Sequence, residues 1–223
     1  MALPNNKIHS GTELPVSGAT MPEAGFFSKL GVFVVSDFLD NPTCSQIIQE
    51  IDSAAQNHST VLDDYDRDEK VNQRFRKTNS AEVSRSVLSL VYDRLLYLRQ
   101  DLGNHFHMKL HGCEDPQFLV YGEGAFFRPH ADRDDSPKKP EYVRKRKVSA
   151  IMFLNNEASE KRSGDYEGGS LVLYGLIGDP RWEKYGFQLG GKAGVLIAFP
   201  SSLIHEVMPV TRGKRYSIVN WFF

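Results

Sequence analysis

Three residues in the C-terminal half of the chain have the types and the spacing to bind a metal ion. His130 and Asp132 stand two apart in YGEGAFFRPHADRDD, and His205 follows 73 residues after Asp132. In a β-strand, residues i and i+2 lie on the same face, so the imidazole and the carboxylate would stand side by side. Two histidines and one carboxylate leave adjacent metal positions open, which suits non-haem Fe(II) oxygen chemistry. The alternative is a hydrogen-bonded pair at a strand end and an unrelated loop histidine.

Arg215 is predicted to be a buried cation near the end of the chain. It begins RYSIVNWFF, and strand alternation places Ser217, Val219 and Trp221 on its face. Val219 and Trp221 look like interior residues, so Arg215 is expected to point inward too. A buried arginine needs a partner, and the sequence offers no obvious structural carboxylate. A ligand carboxylate, held by two parallel hydrogen bonds, is the predicted partner, and Ser217 could add a third.

Short apolar runs separated by turn residues fill the chain from Gln117 onward. They read FLVY, VSAIMFL, GSLVLYG, GVLIAF, EVMPV and RYSIVNWFF. Such a series is typical of an antiparallel β-sandwich or barrel. The sequence therefore predicts a β core at about 117–223.

Two amphipathic helices are predicted before the β core. The first follows a strand candidate at Gly31–Leu39 and begins at NPT. Its apolar face consists of Ile47, Ile48, Ile51, Ala54 and Ala55. The second runs from about Ser80 to Leu102, and Gly103 is expected to end it. Because both apolar stripes need a partner, the helices are expected to cover one outer face of the sheet.

The composition of the 223 residues predicts a soluble globular protein with no nucleic-acid or membrane partner. The formal net charge is −1, and no apolar run is long enough to span a bilayer. No secretory signal is recognised at the N-terminus, so the cytoplasm is the expected location. Cys44 and Cys113 are predicted to be free thiols, with one disulfide as the alternative. Residues 1–24 are expected to form an N-terminal arm, and 25–223 a single domain.

A second histidine cluster is weighed as a competing metal site. HFHMKLH places His105, His107 and His111 close together just past the predicted helix end. It lacks a carboxylate partner, so a surface or half-buried polar cluster is the predicted interpretation.

Two charged segments are expected to border the site. The basic run Lys138–Lys147 is predicted to be a solvated loop beside the mouth of the site and part of a lid. The loop Leu62–Asn79 is read first as a solvated connection. The alternative is that Arg74, Arg76 and Lys77 meet an anionic group of a substrate.

The C-terminal half resembles the Fe(II)- and 2-oxoglutarate-dependent dioxygenases, and most closely their prolyl 4-hydroxylase-like branch. The resemblance runs from about Phe118 to Phe222 and rests on four motifs in the same order and spacing. They are YGEGAFFRPHAD, MFLNN, YEGGSLVLYG and GKAGVLIAFPSSLIHEVMPVTRGKRYSIVNWFF. It implies a mainly β fold with flanking helices, a double-stranded β-helix (jelly-roll) with two N-terminal helices packed on one sheet.

The resemblance also implies roles for individual residues. The Fe(II) ligands, and with them the catalytic residues, would be His130, Asp132 and His205. Arg215 would bind the distal carboxylate of 2-oxoglutarate with Ser217 as a helper, and Tyr121 would line the cosubstrate pocket. This sequence has Phe153 where the family often has tyrosine, which removes a hydroxyl that could contact 2-oxoglutarate.

The implied reaction is hydroxylation of an unactivated C–H bond. The substrate would be amino-acid-like, prolyl or a small molecule, with O2 as cosubstrate, succinate and CO2 as co-products and ascorbate as a candidate reductant. Asp132 keeps a carboxylate where halogenases of the superfamily have none, which favours hydroxylation. The alternatives are desaturation or demethylation at the same iron, or a non-catalytic metal-binding jelly-roll module.

Overall fold

The computed structural model describes residues 24–58, 61–62, 69–70, 74–158, 160 and 163–223. Its α-helices are α1 (Ala24–Lys29), α2 (Asn41–Ser53), α3 (Arg85–Phe106) and α4 (Glu141–Lys145), and a 3₁₀ turn spans Pro180–Trp182. The first strands are β1 (Phe33–Val35), β2 (Gln56–His58), β3 (Val61–Leu62), β4 (Glu69–Lys70), β5 (Arg76–Lys77), β6 (Asn79–Ala81), β7 (Gln117–Tyr121) and β8 (Phe126–His130). The remaining strands are β9 (Val148–Phe153), β10 (Glu167–Gly168), β11 (Leu171–Tyr174), β12 (Gly186–Leu189), β13 (Leu196–Pro200), β14 (His205–Val207), β15 (Val210–Arg212) and β16 (Arg215–Phe222).

Two antiparallel sheets form the jelly-roll core. The large sheet has seven strands in the order β1-β13-β9-β16-β7-β6-β2, and the small sheet has five in the order β12-β11-β14-β8-β5. Strands β10 and β15 form a separate pair, as do β3 and β4. Neighbouring strands run antiparallel in both sheets. The mainly β, jelly-roll architecture predicted from the sequence is confirmed.

The large sheet buries both of its faces, and alternate residues of its strands point to different layers. Phe118 and Val120 in β7 join a core with the apolar faces of α2 and α3. Leu119 and Tyr121 in the same strand join the core between the two sheets. The two longer helices therefore pack on one sheet, as predicted.

Helix α2 begins where its sequence predicts. The Asp40 carboxylate accepts a hydrogen bond from the Thr43 backbone N–H over 2.8 Å and caps the N-terminus, and a proline occupies the first turn. Ile47 and Ile51 are fully buried, and Ile48 is half-buried. The prediction was wrong for Ala54 and Ala55, because α2 ends at Ser53.

Helix α3 begins and ends later than predicted. Ser80 lies in β6, which pairs with β7 and β2, and the helix is capped instead by Ser84. Gly103 lies inside α3, which continues to Phe106. A Cβ at Gly103 would lie only 2.9 Å from the Met108 carbonyl oxygen, so this glycine permits a close approach rather than ending the helix.

Several smaller predictions need correction. The strand expected at Gly31–Leu39 is limited to the three residues of β1, and EVMPV is divided between β14 and β15. The predicted loop Lys138–Lys147 contains α4, and the described part of Leu62–Asn79 includes short strands. The predicted arm lies outside the described residues except for Ala24, which begins α1.

Two further observations concern the whole described chain. Cys44 and Cys113 are both buried free thiols. None of the helices in the described ranges is long and apolar enough to cross a lipid bilayer.

Candidate active site

Three side chains with metal-binding atoms meet at one end of the small sheet. His130 ends β8, Asp132 follows two residues later, and His205 begins β14 opposite His130. One ligand atom from each lies within 4.8 Å of the other two. Asp132 Oδ1 is 3.6 Å from His130 Nε2, and Asp132 Oδ2 is 3.5 Å from His205 Nε2. In the described part of the chain, no other group of this kind occurs.

Backbone carbonyls orient both histidine rings. His130 Nδ1 lies 2.7 Å from the Arg128 carbonyl oxygen, and His205 Nδ1 lies 2.9 Å from that of Leu203. Because a carbonyl oxygen only accepts, each Nδ1 carries a proton and a neutral ring keeps its lone pair on Nε2. The lone pairs therefore point toward the carboxylate, which is the arrangement in which histidines bind metals.

The Asp132 carboxylate is held by Ser149, a β9 residue that the sequence analysis missed. Ser149 Oγ donates a hydrogen bond to Asp132 Oδ2 over 2.6 Å, and Ser201 Oγ lies 3.0 Å from Ser149 Oγ. The Asp132 backbone N–H donates to the Ser201 carbonyl over 2.9 Å. All six residues of β9 are buried. A serine in this otherwise apolar run was the signal that could have identified it.

The electrostatics favour the protonation states that bind a cation. Burial, followed by the charge of His130, lowers the pKa of His205 to about 4. Burial would raise the pKa of Asp132, but the two histidines and the Ser149 hydroxyl together hold it below its ordinary value. Near pH 7 His205 is therefore neutral and Asp132 ionised, which are the forms that bind metals.

Arg215 begins β16 and points into the space between the sheets, as strand alternation predicted. It is 1% exposed, and its guanidinium carbon lies 5.0 Å from the centroid of the Tyr121 ring on the neighbouring strand. Its Nη1 donates to Ser217 Oγ over 2.9 Å. Its Nε and Nη2 are buried and have no hydrogen-bond partner among the described residues. One edge of the guanidinium is thus open to an acceptor with two oxygens.

Glu157 corrects the expectation that no protein carboxylate accompanies Arg215. Glu157 Oε1 accepts a hydrogen bond from Ser170 Oγ over 2.7 Å, whereas Oε2 is buried without a hydrogen-bond partner in the described part of the chain. Burial raises the pKa of Glu157 to about 7, although Ser170 and the charge of Arg215 lower it. Glu157 is thus near the arginine without forming a hydrogen bond to it. No motif in the sequence indicated this proximity.

One cavity of about 760 Å³ joins the three metal-binding residues to Arg215 and Tyr121. Its walls also include Lys139, Tyr142 and Trp221. A ligand in this cavity can therefore contact a metal ion at one point and the open guanidinium edge at another.

Comparisons with known proteins agree with this geometry. Residues 116–223 match the family model of the 2OG-Fe(II) oxygenase superfamily. A PKHD-type hydroxylase of Rhizorhabdus wittichii is 36% identical over 107 residues, which make up 48% of this chain and 41% of that protein. Residues 116–223, just under half of the chain, therefore belong to the 2OG-Fe(II) oxygenase superfamily. The chain thus spans less than half the length of this curated relative.

Solved structures show the same oxygenase fold over most of the chain. A Pseudomonas putida prolyl-4-hydroxylase has a TM-score of 0.62 at 22% identity, covering 89% of this chain and 95% of that one. A Trichoplax adhaerens prolyl hydroxylase, in complex with a hypoxia inducible factor peptide fragment, has a TM-score of 0.58 at 20% identity. The match covers 89% of this chain and 86% of that one. At these identities the likeness shows the fold.

The residues present fit the two groups for which this oxygenase superfamily is named. Two Nε2 lone pairs and one ionised carboxylate make a donor set that suits Fe(II). The orphaned Nε and Nη2 of Arg215, in the same cavity, suit a carboxylate such as the distal one of 2-oxoglutarate.

The other predicted cosubstrate residues lie beside Arg215. Ser217 is fully buried and already accepts a hydrogen bond from the arginine. Tyr121 is 2% exposed and lines the cavity. Phe153, where the sequence departs from the family pattern, lies with its ring centroid 5.3 Å from the guanidinium carbon. Its ring packs against the arginine and offers no hydroxyl.

The charged segments contribute unequally to the cavity. Arg76 lines it and lies 4.7 Å from the centroid of Phe127, whereas Arg74 and Lys77 are exposed. In the basic run, Arg146 is not solvated, because it donates two hydrogen bonds to Glu114 and its guanidinium carbon lies 3.7 Å from the Trp221 centroid.

The second histidine cluster does not gather around a common point. His105 Nε2 lies 2.9 Å from the Gly31 carbonyl oxygen, and His107 ends α3 in the left-handed conformation. These histidines belong to the helix end, as the sequence analysis expected.

Proposed function

We propose that the protein is a hydroxylase that binds Fe(II) through His130, Asp132 and His205 and uses 2-oxoglutarate and O2. The observation that carries the proposal is that Arg215, whose Nε and Nη2 have no hydrogen-bond partner among the described residues, lines the same cavity as the three metal-binding residues. A purely structural site, or a binding module with a metal, would have no need for both. The curated relatives are longer than the region they share with this chain, so the activity of the whole protein is part of this proposal.

Each residue has a defined task in the proposed reaction. Bound Fe(II), with 2-oxoglutarate and O2, supplies the oxidising power that hydroxylates an unactivated C–H bond and releases succinate and CO2. His130, Asp132 and His205 would hold the metal through three ligand atoms, which would leave positions for other ligands. Arg215 fixes the distal carboxylate of 2-oxoglutarate, and Ser217 holds the guanidinium in place. The apolar walls between the sheets exclude water from the reacting groups.

The proposed substrate is an amino-acid-like or peptidyl group, of which a prolyl residue is one example. A volume of about 760 Å³ exceeds what 2-oxoglutarate alone needs, and the outer walls carry both charged and aromatic side chains. The Trichoplax adhaerens prolyl hydroxylase, which has a similar fold, was solved in complex with a peptide fragment. This supports a peptide as one form of the substrate. Arg76 is placed to meet an anionic group of that substrate. Ascorbate as reductant remains part of the proposal.

The decisive experiment needs no substrate. We would add Fe(II) and then 2-oxoglutarate to the metal-free protein without oxygen and record the weak visible charge-transfer band of chelated 2-oxoglutarate. We expect the band in the wild type, its loss in His205→Ala, and a requirement for much more 2-oxoglutarate in Arg215→Ala. A wild-type protein that binds iron but shows no band would contradict the 2-oxoglutarate assignment. A wild-type protein that binds no iron would contradict the oxygenase proposal.

A further inference from the structure

Two polar groups next to the Arg215 guanidinium remain without partners in the structure. The hydroxyl of Tyr166 and the Oε2 atom of Glu157 are both buried, and neither forms a hydrogen bond with any described residue. Tyr166 has no exposed surface at all. The positive charge of Arg215 acts on both groups and lowers their pKa values against the effect of burial. The Arg215 guanidinium and the Gly191 backbone also approach the Tyr166 hydroxyl and lower its pKa, but no described residue accepts a hydrogen bond from it. A phenol, a carboxyl group and an open guanidinium edge thus occupy one buried region.

Two glycines allow the phenol to approach Arg215 and Phe153. A Cβ added at Gly191 would lie 2.1 Å from Tyr166 Oη and 2.9 Å from Phe153 Cδ1. The hydroxyl and the Phe153 ring therefore both lie against Gly191. A Cβ added at Gly169 would lie 3.2 Å from Arg215 Cδ and 3.3 Å from Tyr166 Cε2. A larger residue at Gly191 would displace the tyrosine, and one at Gly169 would crowd Val210, Arg215 and the tyrosine ring. The backbone is therefore shaped around this phenol.

A buried phenol without a partner is unfavourable in the ligand-free protein. Buried tyrosine hydroxyls usually find a partner, and an unpaired buried polar group costs about 1–3 kcal/mol. A carboxylate has about four lone-pair sites, so one that accepts from Nε and Nη2 of Arg215 can still accept from a phenol. A bound carboxylate would therefore supply the partner that Tyr166 lacks.

We propose that the Tyr166 hydroxyl donates a hydrogen bond to the distal carboxylate of 2-oxoglutarate, which Arg215 also binds. This inference rests on the proposed function and gives a cosubstrate-binding role to Tyr166, which opens the YEGGSLVLYG motif but was assigned no role there. Phe153 has no hydroxyl to offer at this place, and Tyr166, which directly precedes β10, provides one. Two neighbouring donors, one cationic and one neutral, would then select a ligand that carries a second carboxylate.

The competing account is that Tyr166 only fills space. Its ring would then matter and its hydroxyl would not, and replacing it by phenylalanine would leave ligand binding unchanged. The two accounts therefore differ in what happens when a single oxygen atom is removed. Because that oxygen has no hydrogen bond among the described residues, Tyr166→Phe should not lower the melting temperature of the metal-free protein.

The test uses calorimetry to measure ligand binding to the 223-residue, Fe(II)-loaded protein without oxygen. Two ligands are compared, 2-oxoglutarate and 2-oxopentanoate, which has a methyl group in place of the distal carboxylate. We expect Tyr166→Phe to weaken the binding of 2-oxoglutarate about tenfold or more, as is typical of a lost hydrogen bond to a charged group. We expect its affinity for 2-oxopentanoate to stay within about twofold of the wild-type value, since that ligand offers the phenol no acceptor.

Tyr216→Phe is the matched control. Tyr216 follows Arg215 directly, but its hydroxyl hydrogen-bonds to both oxygens of Asp52, 2.8 Å away, on the other side of the strand. This variant should bind both ligands as the wild type does, although it loses a hydrogen bond.

The outcomes separate the two proposals. If the wild type binds no 2-oxoglutarate, the proposed function fails. If the wild type binds it with dependence on Arg215, but Tyr166→Phe binds it equally well, only the role of Tyr166 fails. The inference would be overturned if Tyr166→Phe weakened the binding of both ligands equally, or if the metal-free variant had a clearly lower melting temperature. Either result would show that Tyr166 acts only by packing.

Discussion

At the scale of single residues, Ser149 is expected to set the metal affinity of the site. Its hydroxyl holds the Asp132 carboxylate over 2.6 Å, and residues that orient metal ligands typically contribute 10–100-fold in affinity. We predict that Ser149→Ala weakens Fe(II) binding at least about tenfold, measured without oxygen by competition with a chelator. Ser170→Ala is the matched control, because it removes a buried hydroxyl from Glu157 instead. Equal metal affinity in Ser149→Ala and the control would contradict this role.

Glu157 is expected to make the stability of the metal-free protein depend on pH. Burial raises its pKa to about 7, so the folded state retains a proton that the unfolded state, with its pKa near 4.5, has lost. The stability contribution is present below the unfolded pKa and is lost as pH rises through about 7. Glu157→Gln keeps the shape without the charge. We predict that its free energy of unfolding rises relative to wild type by about 2 kcal/mol between pH 5.5 and 8.5.

Urea unfolding of both proteins at the two pH values provides the measurement. The charged groups that act on Glu157 are Arg215, which lowers its pKa, and Glu167, which raises it. Both are present in wild type and variant, so the difference isolates Glu157 itself. Glu183→Gln, at an exposed carboxylate, is the control and should show no such pH-dependent difference. A difference of the same size at both pH values would show that Glu157 titrates normally.

At the scale of elements, helix α3 is expected to support the large sheet without touching the site. Leu95 is fully buried among residues on the helix side of that sheet, whereas the site lies on the other side. We predict that Leu95→Ala lowers the free energy of unfolding by about 3 kcal/mol, as buried leucine truncations do. Metal and 2-oxoglutarate affinities of the folded protein should stay unchanged. Tyr97→Ala on the same helix, at a side chain that is 84% exposed, should alter stability by about 0.5 kcal/mol or less.

The same elements show which features of the fold were predictable from sequence. The α2 start was predictable because a helix start depends on local chemistry, here a proline and a threonine after Asp40. The α3 start was not, because Ser80 pairs with residues of β7 that lie about 40 positions away. The helix end predicted at Gly103 was wrong for a similar reason, because this glycine permits the close approach of Met108, which the local sequence does not reveal. Alternating apolar runs located the strands but not their partners.

The candidate site also contains residues that the sequence predicted and residues that it did not. His130, Asp132, His205 and Arg215 were identified because their motifs are compact and their residue types limit the chemistry. Glu157 was not identified, and Tyr166 was assigned no role although it opens the YEGGSLVLYG motif. The sequence separates both from Arg215 by about 50 residues, and no spacing rule connects them. Only the packing around two glycines brings the phenol to the arginine.

At the scale of the whole molecule, the site spans the two layers of the sandwich. His130 and His205 belong to strands of the small sheet, and Arg215 belongs to the large one. A molecule that chelates the metal and also reaches Arg215 therefore connects the sheets. Neither a metal ion alone nor a carboxylate alone can do so. The stabilisation by both together should exceed the sum of the separate effects.

We predict this cooperativity in thermal unfolding with Mn(II) as a stand-in for Fe(II) that does not turn over. A ligand at 100 times its dissociation constant stabilises by about 2.7 kcal/mol, which corresponds to roughly 5–10 °C for a chain of this length. Mn(II) with 2-oxoglutarate should raise the melting temperature by more than the sum of the shifts with either one. Arg215→Ala should keep the shift with Mn(II) and lose most of the additional shift, because the ligand then reaches only one sheet. Additive shifts in the wild type would mean that 2-oxoglutarate does not bridge the metal and Arg215.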